Sequence, residues 1–186
     1  MTQVRQGHLW LLTLIILGGF FLRIYGVTWG LPNESHSLSY KSDENIIVRS
    51  IGQMRPSKLD FNPHFFIWGS WHFYEVALTL KMASLVGVIK VSPDRDFYFK
   101  TPRELGHIYL TGRLLSVFYG VMTVLLVYAC GARFWFDKRV GLIAAFLLSI
   151  MPGPVISAHY MKEDSAVCFW LLLMLFFCLQ LLETGR

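Results

Sequence analysis

Little in this chain of 186 residues suggests a secreted, disulfide-held or nucleic-acid-binding protein. It has three cysteines, Cys130, Cys168 and Cys178, and all three fall inside apolar runs. No disulfide framework can be drawn from them, and they read as small apolar packing residues. Charge is scarce too, at 16% of residues. The formal net charge of +5 comes from basic residues scattered at the ends of apolar runs. They form no stripe with interleaved aromatics, which argues against nucleic acid as a partner. There is no internal repeat and no low-complexity tract. His64 and His159 show no metal-ligand spacing, so no metal site and no cofactor are expected; a divalent ion is an allowance that the sequence does not support. A cleavable leader is not expected either, although Arg5 precedes the first apolar run as in a signal peptide. Arg23-Ile24-Tyr25-Gly26-Val27 offers no small-x-small site after the first apolar run, which therefore reads as a retained span.

What is abundant is apolar surface. The chain is 54% hydrophobic and 16% aromatic, and its mean hydropathy is +0.48. About 20 mostly apolar residues cross a hydrocarbon core of about 30 Å. Four runs meet that length: residues 8–27, broken by Arg23; 114–132, bounded by Arg113 and Arg133; 140–161, uncharged apart from His159; and 165–182, uncharged throughout. The expected fold class is all-α, a polytopic helical membrane protein with four transmembrane helices and a long outer loop over residues 28–112.

Lys and Arg in short loops set the orientation. Residues 134–139 carry Lys138 and Arg139, with Arg133 at the edge, whereas 159–164 carries only Lys162. Arg5 and Arg186 mark the two ends. Placing these basic segments in the cytoplasm puts 28–112 and 159–164 outside. The acidic clusters Asp43-Glu44 and Glu163-Asp164 then share the outer face.

Residues 65–89 could pass for another span. They contain His72, Glu75 and Lys81 and open with Trp68, Trp71, Phe73 and Tyr74. Mid-span charge costs several kcal/mol and aromatic rings favour the interface, so an interfacial helix fits better. Ser42 reads as an N-cap for a helix running through Ile46, Ile47, Ile51 and Met54. Residues 91–96 read as a polar loop. Met151-Pro152-Gly153-Pro154 interrupts the third span, since proline removes a donor and clashes with the preceding turn. Broken backbone at membrane depth suggests a cavity nearby.

Each charged feature has a plain reading beside a chemical one. Asp43-Glu44 and Glu163-Asp164 both suit the first turn of a helix, where the dipole favours carboxylates. Arg113 either snorkels or grips an anionic headgroup through its guanidinium. For Arg23 snorkelling is the favoured reading. Lys162 suits either a lipid phosphate or an acidic neighbour.

Together these features resemble the amino-terminal portion of a GT-C superfamily glycosyltransferase, most closely the protein O-mannosyltransferase branch and its bacterial relatives that use lipid-linked sugars. Four stretches carry the resemblance. They are one span followed by Ser42-Asp43-Glu44; the proline-aromatic-glycine stretch Phe61-Asn62-Pro63-His64-Phe65-Phe66-Ile67-Trp68-Gly69-Ser70; Gly112-Arg113-Leu114-Leu115-Ser116; and Val140-Gly141-Leu142-Ile143-Ala144-Ala145 leading through Ser157-Ala158-His159-Tyr160 to Asp164. The chain departs from the family at Met161-Lys162-Glu163, where relatives have apolar or small residues.

The resemblance implies sugar transfer, with mannose among the sugars, from a polyprenyl-phosphate-linked donor to an acceptor hydroxyl on the outer face, with inversion. By the same resemblance Asp43 is the base, Glu44 the second acid of its motif, Asp164 the acid after the third span, and Arg113 the cation facing the donor phosphate. The acceptor is a protein, a glycolipid or a polysaccharide, and membrane lipid is a further partner. The implied location is multi-pass in a membrane, the plasma (inner) membrane for a bacterium. Residues 1–186 read as the amino-terminal part of a longer domain, inactive as a fragment. The competing class is a non-catalytic polytopic protein, a lipid-binding subunit or transporter segment, which needs no aligned carboxylates.

Overall fold

Apolar length sets where the helices of this chain run, and proline and glycine set where several of them stop. The computed structural model describes residues 2–92, 94–135 and 137–185, with the side chains of residues 2–6 and 95 left aside. Arg186 and the side chain of Arg5, both counted in the orientation, lie outside the described residues. Among the described residues eight α-helices follow one another: α1 (Thr2–Ile24), α2 (Ser42–Ile51), α3 (Ser70–Leu85), α4 (Arg95–Lys100), α5 (Pro102–Phe134), α6 (Lys138–Ile150), α7 (Pro152–Ser157) and α8 (Asp164–Thr184). Among the described residues, the β-pairing outside helices amounts to two isolated bridges, Asn33 with His36 and Arg55 with Asp60. The all-α membrane class is as expected.

The span count differs. Among the described residues three helices are long and apolar enough to cross a membrane: Gly7–Ile24 of α1, α5, and α8. The expected third span, 140–161, is not one helix. Its first 13-residue piece, α6, stops at Met151, whose backbone is extended at ψ 124°, and α7 restarts at Pro152. Proline cannot supply the N–H that Leu148 O needs, so the ladder breaks there. Other boundaries also moved. Lys41, not Ser42, is the N-cap of α2 and makes no side-chain cap. The expected polar loop at 91–96 is already helical from Arg95, capped by the Asp94 carboxylate accepting from the Asp96 N–H. α5 begins a dozen residues ahead of the apolar run, at Pro102, where proline suits a first helical turn.

The chain divides into two units. Unit 1 comprises Met1–Tyr25, Val117–His159 and Asp164–Arg186; unit 2 comprises Gly26–Ser116 and Tyr160–Glu163.

In unit 1 small residues let helices approach, as expected where lipid supplies no hydrophobic drive. A Cβ on Gly131 would meet Gly141 Cα at 2.9 Å, and one on Gly141 would meet Tyr128 O at 2.6 Å. A Cβ on Gly19 of α1 would lie 3.1 Å from Ser149 Cβ of α6. Tyr119 of α5 packs on Phe169 of α8, with ring centroids 5.3 Å apart. Arg23 does not snorkel. It is fully buried, and its guanidinium donates to Gly19 O and Ser149 O, each at 3.0 Å, and to Leu148 O at 3.3 Å. The last two are carbonyls that the break at Met151 leaves without helical donors.

Unit 2 holds an apolar core. α2 buries Glu44, Ile47 and Ser50, one face at helical spacing. α3 buries His72, Phe73, Val76 and Leu80. These pack with Ile89, Leu105, Ile108, Tyr109 and Met161. At 16 residues α3 spans about 24 Å, short of a hydrocarbon core. Trp71, Leu78, Met82 and Leu85 remain exposed on it.

Candidate functional site

The segment after α1 is built from tight turns that leave its side chains little freedom. Gly30 has φ +68°, and a Cβ there would press on the Tyr40 ring at 3.0 Å. The Tyr40 N–H donates back to Gly30 O at 3.1 Å. Asn33 closes an Asx turn, accepting from the Ser35 N–H at 2.8 Å. These turns bring Ser39, Lys41, Asp43 and Glu44 together at the start of α2.

Glu44 and Arg113 form the foundation. Their side chains are 0% and 1% exposed, and Nε of Arg113 lies 2.8 Å from Glu44 Oε1. One Nη completes the fork to Glu44 Oε2 at 2.8 Å and also donates to Ser39 Oγ at 3.2 Å. The other Nη donates to Val27 O at 2.6 Å and Trp29 O at 2.7 Å. All five N–H donors of the guanidinium are therefore engaged. Glu44 is equally saturated, accepting also from the Ser39 hydroxyl at 2.5 Å and from the Met161 N–H at 2.9 Å. Groups of the protein itself thus take up the N–H donors of Arg113 and the carboxylate oxygens of Glu44. Both act as a buried clamp joining the post-α1 segment, α2, α5 and the 160–163 segment.

Asp43, the next residue, faces the other way. Its side chain is 45% exposed, and Oδ2 lies 3.3 Å from Lys162 Nζ. The two residues line a cavity of about 270 Å³ with Tyr40, Lys41, Ser42, Glu44 and Tyr160. Lys41 donates to the Tyr160 hydroxyl oxygen at 2.6 Å and stands 4.1 Å from the Tyr160 ring centroid and 5.2 Å from that of Trp29. Lys162 lies 5.6 Å from the Trp68 ring. Two ammoniums, those of Lys41 and Lys162, and the Asp43 carboxylate line this cavity beside the Glu44–Arg113 pair.

The structure thus brings Asp43, Glu44 and Arg113 into one unit. Asp164 belongs to unit 1, where it is exposed and opens α8. Sequence reasoning passed over Lys41, Tyr160 and Trp29. Only the adjacency of Lys41 to Asp43 hinted at them. Among the described residues no three His, Cys, Asp or Glu side chains gather as a metal site.

Among the described residues three helices of membrane-crossing length define an integral membrane protein. The sequence model of the dolichyl-phosphate-mannose-protein mannosyltransferase family matches residues 81–185. That is more than half of the chain, and the chain belongs to this family. It is a membrane glycosyltransferase of the mannosyltransferase type. The matched stretch contains Arg113 and Asp164. Comparison with curated proteins and with solved structures gives no match.

Proposed function

We propose that the chain forms the acceptor-activating part of an enzyme that moves mannose from a polyprenyl-phosphate donor to a protein hydroxyl on the outer face of the membrane. The observation that carries this reading is the half-exposed Asp43 carboxylate beside the Lys162 ammonium in a positively charged cavity. In the reaction the acceptor oxygen attacks the anomeric carbon from the face opposite the phosphate. The bond from that carbon to the phosphate oxygen breaks, and its electron pair leaves with the lipid phosphate. The acceptor proton passes to Asp43, and configuration inverts.

A positioned base contributes about 10²–10⁴-fold. The leaving phosphate gains negative charge as the bond breaks, so cations fixed beforehand favour the transition state. Lys41 and Lys162 fit that task, and they take the place first given to Arg113. Glu44 and Arg113 position them, and Asp164 keeps the role of helix-start acid of α8 beside its family-matched assignment. A lipid-linked donor suits a site at the membrane surface, where the tail stays in the bilayer. The exposed apolar face of α3 supports its lying in that surface.

The test is Asp43→Asn, assayed in membranes with radiolabelled polyprenyl-phosphate mannose and a hydroxyl-bearing peptide. Turnover is expected to fall by roughly 10²-fold or more with donor binding little changed. Near-normal turnover would overturn the base assignment.

A further inference from the structure

Unit 2 contains a second and larger cavity, of about 470 Å³, lined by Gly52, Gln53, Arg55, Asp60 and His64. Its walls are fixed by backbone. Arg55 and Asp60 exchange N–H···O bonds of 2.8 and 3.1 Å, closing the loop between them. The Asp60 carboxylate accepts from the Asn62 N–H at 3.1 Å, and the Asn62 amide oxygen accepts from the His64 N–H at 2.8 Å. His64 is held at φ +52° and Leu59 at φ +57°, the left-handed region that such residues seldom occupy. Strain of this kind persists where the surroundings dictate it and gathers at ligand clamps.

Three of the side chains on these rigid walls are nonetheless unused. Among the described residues Gln53, Arg55 and His64 make no side-chain hydrogen bond or ion pair, although Arg55 and Asp60 are joined through their backbones. A guanidinium and a carboxylate in one cavity nearly cancel in charge, so neither a simple anion nor a simple cation meets a strong net field there. They suit a neutral ligand that presents donors and acceptors side by side. A peptide backbone does so at every residue, its C=O toward Arg55 and Gln53 and its N–H toward Asp60. Leu59 and Phe61, 83% and 51% exposed, add apolar surface on the same loop for the side chains of a bound segment.

We propose that this cavity binds an uncharged stretch of the acceptor polypeptide, as a subsite separate from the Asp43 cavity. The inference rests on the proposed function only in taking the acceptor to be a protein. It is tested by binding, without donor, so that its failure and a failure of Asp43 as base are read separately. The probe is a fluorescein-labelled decapeptide of Ser, Thr, Ala and Val, titrated by anisotropy against the whole protein in detergent. Arg55→Gln removes an exposed charge, Asp60→Asn keeps the oxygen that holds the Asn62 N–H, and His64→Gly retains the left-handed backbone. Arg55→Gln and Asp60→Asn are each expected to weaken peptide binding roughly tenfold, as for loss of a charge-assisted hydrogen bond. His64→Gly is expected to weaken it about threefold. Peptide affinity within twofold of the parent in both charge variants would overturn the proposal. Displacement of the peptide by a free mannose oligosaccharide would overturn the choice of ligand in favour of sugar.

Discussion

Asp43 and Glu44 are neighbours of one chemical type with opposite fates. A single residue step, about 100° around the helix, sends Glu44 into a buried clamp and leaves Asp43 at a cavity wall. The pair was legible in sequence as a pair. Its division of labour was not, because adjacent carboxylates differ only in what surrounds them once α2 is packed. The same holds for Arg113, whose five donors find partners as far away in sequence as Val27. Removing one member of such a clamp strands the other. Glu44→Gln is expected to destabilise the protein by about 3–5 kcal/mol, the range for an uncompensated buried charge, read as a lower Tm in detergent. Arg113→Lys should behave similarly, since three rotatable donors cannot replace a planar fork of five. An unchanged Tm in both would show that the clamp is dispensable. Gly112 gives a finer probe. A Cβ there would overlap the side chain of Met161, whose N–H holds Glu44 and whose neighbour Lys162 faces Asp43. Gly112→Ala is therefore expected to lower turnover by roughly 10–10²-fold through misplacement of Lys162. Met161→Ala in the same chain should restore much of it by making room, and equal turnover in single and double variants would refute the route.

Proline was the clearest signal at the scale of elements. Met151-Pro152-Gly153-Pro154 announced a break, and α6 stops there. The sequence could not reveal what satisfies the break, because the partner lies 126 residues away on α1. Arg23 reads as a snorkelling span-end residue when only α1 is considered. Its position opposite Gly120, where a Cβ would come within 2.9 Å of Nε, makes it an internal cap for α6. A cation at a helix C-terminus satisfies orphan carbonyls and opposes the dipole. Arg23→Met keeps length and apolar packing but leaves Leu148 O and Ser149 O without these donors. The expected cost is about 1–3 kcal/mol for each group left buried and unpaired, read as a drop in Tm. Arg23→Lys should recover part of it. A Tm for Arg23→Met equal to that of the parent would mean that the carbonyls find other donors.

For the whole molecule, run length alone separated the all-α membrane class from every soluble alternative, and charge in the short segments supplied a threading. The weak point was 140–161, which counts as a crossing by composition yet is two short helices. Contacts inside unit 2 bear on this. Lys41 meets Tyr160, Asp43 meets Lys162 and Glu44 meets Met161, so residues 41–44 and 160–162 occupy one side of any membrane the chain crosses. In the threading proposed from the charge bias, α5 carries the chain away from that side and residues 138–157 return it; at about 1.5 Å per helical residue 20 residues reach about 30 Å. The broken segment is thus long enough to cross, with Arg23 meeting the backbone groups that its interruption exposes. The proposed orientation, with Lys138 and Arg139 inside, yields a direct test. In a background with Cys130, Cys168 and Cys178 replaced by alanine, a single cysteine at the exposed position Ser42 should react with an impermeant thiol reagent added to intact cells. One at Lys138 should react only after the membrane is opened. Labelling of both from outside would mean that residues 102–134 do not cross, and the reverse pattern would place the Asp43 cavity in the cytoplasm.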